Sequence, residues 1–388
     1  MKNIKRFSSL LSLSLVMLAS CCAQPAQKLT LSGLDPAKFV DTIKGKATAL
    51  YTLKNKNGME VCITNFGGRV VSIMAPDKNG KFQDVVLGFD NVKQYADTKN
   101  TPSDYGASIG RYANRIKDGK ITIDGKTIQL PKNNFGHCLH GGPEGWQYQV
   151  YQAKQLGPQT LKLTMDSPDG DANFPGHVIA VVTYKLLDNN ALDISYEATT
   201  DKKTVINMTN HSYFVLGGDP DGLSLDNILY VNADNYTPVD STYMTTGEIA
   251  PVAGTPFDFR TPKAIGKDIN AKNTQIKNGN GYDHNWVLNT YKNGKGNLNQ
   301  VAARLTSPKS GISLEVYTNE PGIQVYTGNF QDGTYTGKKG KVYQKRVSVC
   351  LETQKYPDTP NKPNWPSCIL APGEKYESHC IFKFGITK

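Results

Sequence analysis

Hydrophobic and polar residues alternate along most of this chain in short runs, a pattern typical of half-buried β-strands. Two β-branched segments flank Asp124-Gly125 in KITIDGKTIQL, which predicts a hairpin. Further strand pairs are predicted with turns at 77–80 and 189–190, and later strands by ISLEVYT, IQVYTG, KRVSVCLET and SHCIFKFGI. Long helical periodicity is absent, and NVKQYADT predicts one or two helical turns. The pattern therefore predicts an all-β protein, either a sandwich or a barrel.

The first twenty residues have a different pattern from the rest. A basic start precedes a Leu-rich run and then small residues, an order typical of an export signal and too short for a transmembrane helix. The ending Leu18-Ala19-Ser20-Cys21 resembles the bacterial lipoprotein signal, in which the cysteine is acylated. The alternatives are an ordinary secretory signal and a simple anchor helix. We expect a lipoprotein-type signal over 1–20 with Cys21 lipidated.

This prediction sets the domain organisation and the location. A polar tether is expected over 21–35, and one β domain over 36–388, because no composition shift divides the body. The protein would be exported to the cell envelope, in the periplasm or at the outer membrane. It would meet the membrane only through its lipid anchor.

Charge and cysteine content exclude several classes of protein. The formal charge is +10, and the lysines are spread along loops rather than gathered in a stripe, so no nucleic-acid groove is predicted. The seven cysteines form no CxxC pair. Those in the body are interpreted as buried small hydrophobic residues rather than a disulfide scaffold.

Candidate chemistry concentrates in six polar and aromatic segments between strands. They are IGRYANRIKDGK with Asn114 and Arg115, NNFGHCLHGGPEGW with His140, TNHSYF with His211, GYDHNW with Asp283, PGIQVYTGN with Gln324, and LETQKYPDTPNKPNWPS with Glu352. Each residue also has a structural explanation, such as a turn cap, a surface ion pair or a solvent-facing strand position. Glu352 follows the apolar run VSVCL, so we expect it half-buried at a sheet end with a raised pKa or a partner.

Three chemistries fit these residue types. Zinc binding could use His137, Cys138 and His140, although their spacing is not that of a closed site. A retaining glycosidase could use Glu352 and Asp283 as its two carboxylates. Proton transfer could use the glutamate with His211, which is predicted to lie at or near a strand end. The residues alone leave all three open.

The motifs GRYANRI, LHGG, TNHSYF, GYDHNW, PGIQVYTGN, LETQKYPDTPN and LAPGEKY resemble, in this order, those of the aldose 1-epimerases, or galactose mutarotases. The resemblance covers about 51–384 and implies a large antiparallel β-sandwich with the sugar in an open cleft. It implies that Glu352 is the general base and His211 the general acid. The implied sugar-binding residues are Asn114, Arg115, His140, Asp283 and Gln324. The chain departs from the family at Val215, where Asn is usual, and His137 has no implied role.

The implied reaction interconverts α and β anomers of free hexoses such as glucose and galactose. The base takes the C1 hydroxyl proton, the acid protonates the ring oxygen, and rotation about C1–C2 precedes closure. Protonated His211 requires a pKa at or above the ordinary 6.5, which a nearby carboxylate would favour. No metal or cofactor is needed for this chemistry, and the partner is a small aldohexose.

Two further expectations concern ions and assembly. The stretch DSPDGDANF carries Asp166, Asp169 and Asp171, which would suit either a structural Ca²⁺ site or a plain solvated turn. Within the same fold, a hexose-6-phosphate epimerase is an alternative function, but exported sugars are rarely phosphorylated and no extra basic cluster marks a phosphate site. A glycan-binding protein without activity is a further alternative. We expect a monomer.

Overall fold

The computed structural model describes residues 29–218, 220 and 222–387. The predicted signal over 1–20 and the predicted lipidation at Cys21 lie outside these residues, as does most of the tether over 21–35. The end of that tether is described: Ser32 and Leu34 are buried, and the Ser32 hydroxyl donates to Ser72 at 3.0 Å. The folded part of the described chain therefore includes residues before 36.

Three antiparallel sheets dominate the described chain. A nine-stranded sheet has the spatial order Gln152–Gly157, Thr160–Ser167, Val178–Leu186, Ala191–Thr200, Tyr376–Ile386, Ile312–Thr318, Ala303–Thr306, Ile228–Val231 and Lys263–Ala264. A six-stranded sheet has the order Tyr213–Phe214, Val349–Gln354, Gly322–Tyr326, Asp283–Val287, Asn235–Thr237 and Ala250–Pro251. A four-stranded sheet comprises Leu50–Lys54, Glu60–Thr64, Arg69–Pro76 and Phe82–Asp84.

Short elements complete the fold. Two-stranded ladders pair Asp41–Ile43 with Lys46–Thr48, Arg115–Ile116 with Cys138–Leu139, Lys120–Ile123 with Lys126–Gln129, Thr204–Val205 with Ile369–Leu370, Ala107–Ile109 with Thr209–His211, and Tyr291–Lys292 with Lys295–Gly296. The α-helices are Val92–Ala96 and Thr274–Asn278. Single 3₁₀ turns are Pro36–Phe39, Lys117–Gly119, Trp146–Tyr148, Asp171–Asn173, Ser224–Asp226, Ile265–Lys267, Lys338–Gly340 and Thr359–Asn361. Among the described residues, no helix is long and apolar enough to cross a membrane.

One hydrophobic core joins the three sheets. Alternate residues of Val178–Leu186 are buried, which leaves one face of the nine-stranded sheet toward solvent. The buried face shares a single cluster with residues of the other sheets, including Ile63, Leu351 and Phe382. The sheets are open and packed around this shared core, so the architecture is the sandwich rather than the barrel of the two predicted alternatives.

The predicted hairpins are confirmed. Ile123 pairs with Lys126 across Asp124-Gly125, and both turn residues have positive φ, as a tight two-residue hairpin requires. The turns at 77–80 and 189–190 also lie between adjacent antiparallel strands. The helical turns predicted in NVKQYADT form Val92–Ala96, which the Asn91 side chain caps by accepting from the Gln94 N–H.

Candidate active site

The six-stranded sheet forms the floor of a cavity, and its two central strands are buried on both faces. All residues of Gly322–Tyr326 and Val349–Gln354 are buried. Leu351 and Val325 join the core on one face. Since side chains alternate across a strand, Glu352 and its cross-strand partner Gln324 project from the other face. The expectation of a half-buried Glu352 at a sheet end is therefore wrong: it is buried inside the strand. Gln324 is likewise not a solvent-facing position.

His211 reaches the same cavity from a neighbouring ladder. It is the last residue of Thr209–His211, as predicted, and pairs with Ala107. Its ring stacks on Tyr213 at a centroid distance of 5.0 Å and meets the edge of His140 at 5.2 Å. His211 Nε2 lies 3.6 Å from Glu352 Oε1, and these side chains are only 6% and 2% exposed. The proposed acid and base are thus adjacent and nearly shielded from solvent.

A two-residue ladder positions the first two motifs against each other. Arg115 pairs with Leu139 in this ladder, which places Asn114 beside His140. The Asn114 backbone N–H donates to His140 Nδ1 at 3.1 Å. A neutral imidazole whose Nδ1 accepts a hydrogen bond carries its proton on Nε2. His140 therefore presents an N–H donor on its other nitrogen.

The glycine after His140 makes this arrangement possible. Gly141 has a φ of +81°, and a Cβ at this position would lie 2.3 Å from the Gly110 carbonyl oxygen. Any other residue would meet both an unfavourable backbone conformation and a steric overlap. The LHGG motif thus has a backbone reason for its glycine as well as a chemical reason for its histidine.

Asp283 and Arg115 also line the cavity, and Gln324 contacts Asp283. Gln324 Nε2 donates to Asp283 Oδ1 at 2.7 Å, which fixes the carboxylate at the start of Asp283–Val287. Arg115 is buried, and its Nε donates to Asn134 Oδ1 at 3.0 Å. It does not form the surface ion pair considered from the sequence. The cavity has a volume of about 310 Å³, within the range of small-molecule sites. It is lined by Asn114, Arg115, His140, His211, Asp283 and Glu352.

Sequence reasoning missed several residues that line the cavity. They are Asp104, Asn134, Phe135, Leu139, Tyr213, Tyr326 and Phe330. Asp104 Oδ1 is buried without a hydrogen-bond partner among the described residues, and the side chain brings an oxygen within 4.8 Å of ring nitrogens of His140 and His211. No motif marked it. Tyr213, Tyr326 and Phe330 stood inside or beside quoted motifs, so their proximity to the site could have been inferred.

Burial controls the protonation of the site. It raises the pKa of Glu352 well above its ordinary value, and Asp283 and Asp104 raise it further, while Arg115 opposes the shift. Burial lowers the pKa of His211, against the opposing charge of Asp104. The expectation that this pKa lies at or above 6.5 is therefore wrong. Desolvation disfavours both charges, so it favours a proton on Glu352 beside a neutral imidazole over a carboxylate–imidazolium pair.

Burial also shifts the pKa of two other groups in the site. Burial lowers the pKa of His140 to about 3, so this ring is a neutral donor near neutral pH. Burial raises the pKa of Asp283, and Arg115 and the Gln324 amide both act against that shift. The cavity therefore offers a neutral N–H, an amide, a guanidinium and a carboxyl group, all of which can hydrogen-bond the hydroxyl groups of a sugar.

The zinc set considered from the sequence does not form. Cys138 is buried in an apolar cluster, whereas His137 Nε2 is hydrogen-bonded to Thr242 Oγ1 at 2.9 Å. Within the described ranges, Asp104, His140 and His211 are the residues whose potential ligand atoms converge. His140 fits a metal poorly there, because its Nδ1 accepts the Asn114 N–H and its Nε2 then carries the proton.

The three aspartates of the acidic stretch each have a separate partner. Asp166 contacts His177 at 2.7 Å, and Asp171 accepts the Ser167 hydroxyl at 2.5 Å. Asp169 accepts the Gly176 N–H at 2.6 Å and pairs with Lys202. These contacts connect the carboxylates to different parts of the turn.

Comparison with known proteins identifies the family. The aldose 1-epimerase family model matches residues 49–383. Galactose mutarotase of Rattus norvegicus is 40% identical over 342 residues, covering 88% of this chain and 95% of that protein. Aldose 1-epimerase of Escherichia coli (strain K12) is 38% identical over 342 residues, covering 88% and 96%.

Solved structures agree with this assignment. A GalM/aldose epimerase homologue from C. elegans has a TM-score of 0.80 at 31% identity, covering 88% of this chain and 100% of that one. Galactose 1-epimerase from Lactobacillus acidophilus NCFM has a TM-score of 0.78 at 30% identity, covering 90% and 97%. The chain belongs to the aldose 1-epimerase family and is an isomerase that interconverts sugar anomers.

Proposed function

We propose that Glu352 and His211 exchange protons with the anomeric hydroxyl and the ring oxygen of a free hexose such as glucose or galactose. The observation that carries this proposal is the 3.6 Å separation of Glu352 Oε1 and His211 Nε2 at the buried end of an open cavity. Two groups this close can exchange protons with two oxygens attached to the same carbon, as O1 and O5 of an aldose are.

The reaction conserves protons within the pair and the sugar. Glu352 takes the proton of the C1 hydroxyl as the C1–O5 bond breaks, and its electron pair moves onto O5. O5 takes a proton from His211, and C1 becomes an aldehyde. After rotation about C1–C2, the protonated Glu352 returns a proton to the carbonyl oxygen while neutral His211 takes one from the O5 hydroxyl. Closure on the other face gives the opposite anomer.

The pKa shifts favour one of the two states in this cycle. Protonated Glu352 with neutral His211 is the state that follows ring opening and precedes closure. The other state, a carboxylate with an imidazolium, holds the same single proton. Activity is therefore expected whenever the pair carries one proton, with apparent pKa values that belong to the pair.

The surrounding polar groups are proposed to hold the sugar. Asp283 would accept a hydrogen bond from a sugar hydroxyl, with its carboxylate oriented by Gln324. Arg115, Asn114 and the N–H of His140 would bind other hydroxyls and keep C1 beside the acid and base. We propose that the chemistry itself uses no metal or cofactor.

Polarimetry of freshly dissolved α-D-glucose and α-D-galactose tests the proposed function. For at least one of the sugars, the rate constant for the approach to anomeric equilibrium is expected to rise in proportion to the concentration of the protein. Binding of both sugars without acceleration of either would make the cavity a sugar receptor and contradict the proposal.

Asp104→Asn is expected to move both limbs of the pH profile of kcat/KM to lower pH. The Asp104 carboxylate favours a charged imidazolium and disfavours a charged Glu352, so it raises the pKa of both groups. Its removal lowers both. The acid limb, where the Glu352–His211 pair gains a second proton, then moves to lower pH. The alkaline limb, where the pair loses its one proton, also moves to lower pH.

Asp124→Asn is the matched control for this experiment. It makes the same change in an exposed hairpin turn, where Asn-Gly suits the turn as well as Asp-Gly does. If Asp104→Asn stays active and both limbs of its pH profile are unchanged, Asp104 does not shift the pKa values of Glu352 and His211.

We also propose that the protein is an exported lipoprotein held at the envelope by a lipid on Cys21, with a monomeric enzyme domain. The support is the order of basic, apolar and small residues before this cysteine. Cys21→Ser is expected to move the protein from the membrane fraction to the soluble fraction. Cys22→Ser, one residue further, is the control and should stay with the membrane. Equal fractionation of both variants would contradict the assignment.

A further inference from the structure

A second open cavity, with a volume of about 530 Å³, borders the segment that leads into Asp283. It is lined mainly by residues of 269–277, and also by Asn280, Gly281 and Arg346. None of the residues that line it also lines the catalytic cavity. The two cavities are therefore separate sites, and we call the second one the basic groove.

The basic groove is lined by cations and by no acid. Lys272, Lys277 and Arg346 contribute the positive charges. Within the described part of the chain, none of these three side chains forms an ion pair. The acid that directly precedes the first lining residue, Asp268, is bound to Lys263 at 2.7 Å. The positive charge of the groove is thus not neutralised by a contact within the protein, which favours an anionic ligand.

Two asparagine side chains in the groove have NH₂ groups left for a ligand. Arg346 Nη1 donates to Asn270 Oδ1 at 2.8 Å, and Lys345 Nζ donates to Asn280 Oδ1 at 2.9 Å. Because arginine and lysine have no acceptor, each amide must turn its oxygen toward the cation. The two amide NH₂ groups have no hydrogen-bond partner among the residues that the structure describes. A ligand held here therefore has to accept hydrogen bonds.

The backbone holds Arg346 in an unusual conformation. Its φ is +65°, in the left-handed region that residues other than glycine rarely adopt. Its N–H donates to the Gly328 carbonyl at 3.1 Å, and its carbonyl accepts both the N–H and the hydroxyl of Ser224 at 2.9 Å. Its Nη2 donates to the Asn280 carbonyl at 3.2 Å. A strained residue held by this many contacts beside a cavity is a reason to look for a binding role.

Lys345 and Arg346 repel each other across one asparagine. Asn280 accepts from Lys345 through its side chain and from Arg346 through its carbonyl. Burial lowers the pKa of Lys345, and the charge of Arg346 lowers it further. An anion that contacts both cations would offset this repulsion.

We propose that the basic groove binds a phosphate or sulfate group, either as the free ion or as an ester on a sugar. Such a group carries negative charge and several acceptor oxygens, which suit an arginine, a lysine and amide NH₂ donors. Lys345, Arg346, Asn270 and Asn280 would hold it. The sequence shows no such cluster, because these residues come from two segments that are distant along the chain. The inference does not rest on the proposed function, since the groove is separate from the catalytic cavity.

Isothermal titration calorimetry at low ionic strength tests the site with inorganic phosphate, inorganic sulfate and glucose 6-phosphate. Arg346→Gln and Lys345→Gln are each expected to weaken the binding of at least one of these ligands about 3- to 30-fold, because each removes a charge-assisted hydrogen bond. Lys345 is exposed, so its variant is expected to fold even if Arg346→Gln does not. Binding of the sugar ester in the catalytic cavity would persist in both variants, and only the part that they lose belongs to the groove.

Lys292→Gln is the matched control, because it removes the same charge from an exposed hairpin outside the groove. It should leave all three affinities unchanged. Tighter binding of glucose 6-phosphate than of the inorganic ions, lost in the groove variants, would identify a sugar ester as the ligand, whereas equal or weaker binding would identify the free ion.

Three results would overturn the inference. They are no binding of any of the three ligands, affinities unchanged in both groove variants, and an equal loss in Lys292→Gln, which would show a response to net charge alone. Polarimetry on glucose should give the same rate for all of these variants. Failure of the groove to bind is therefore distinguishable from failure of the proposed function.

Discussion

Glu352→Gln is expected to lower kcat for mutarotation about 10²- to 10⁴-fold, because the amide cannot take the C1 hydroxyl proton. The fold should tolerate the change. Glu352 is buried with a raised pKa, so a neutral amide resembles the protonated acid in both size and charge. The rate is measured by polarimetry on α-D-glucose, and the thermal unfolding midpoint is measured on the same sample.

Glu315→Gln provides the matched control. Glu315 accepts the Tyr317 hydroxyl on the solvent side of the nine-stranded sheet, and glutamine can keep that hydrogen bond. Its rate should equal that of the unaltered protein. A Glu352→Gln variant that is folded and retains full activity would remove this residue from the base role. The 3.6 Å contact with His211 would then be structural only.

His211→Asn is expected to cause a loss of similar size, about 10²- to 10⁴-fold in kcat. The asparagine amide can still donate a hydrogen bond, but it cannot give a proton to O5 or take one back. The packing of Tyr213 and His140 against the imidazole is also reduced, so part of the loss can come from misplacement. Single-turnover rates, with the protein in saturating excess over the sugar, measure the chemical step directly.

The double variant distinguishes concerted action from independent contributions. Because ring opening needs both transfers, Glu352→Gln with His211→Asn should be little slower than either single variant. His177→Asn makes the same histidine change at an exposed ion pair with Asp166 and should leave the rate unchanged. Losses that multiply in the double variant would contradict a pair that acts as one unit.

The sequence predicted local structure well where turn residues fix it. Asp124-Gly125 and 189–190 specify hairpins on their own, because their backbone requirements do not depend on distant contacts. The predicted site residues were found through ordered motifs, and the fold brings them to one cavity, with Gln324 behind Asp283. Their roles stay predictions until the variants are measured.

Other features depend on contacts that the sequence does not display. Asp104 reaches His211 only because Ala107–Ile109 pairs with Thr209–His211, some hundred residues later. Phe135 contacts Tyr243 because loops 133–139 and 240–244 meet beside the cavity. The direction of the His211 pKa shift depends on burial depth, which residue types alone do not give. The neighbouring carboxylate was anticipated, but the stronger effect of desolvation was not.

The alternation of core and site residues along one strand has a consequence for how the enzyme reaches its active state. Leu351 packs in the core and Glu352 faces the sugar pocket, so a slip of one residue would exchange them. Such a slip would bury a carboxyl group among apolar side chains and expose a leucine at the floor of the cavity. Misfolded chains with this error are therefore disfavoured by the same packing that stabilises the native state. Correct packing of this strand therefore also places Glu352 correctly relative to His211.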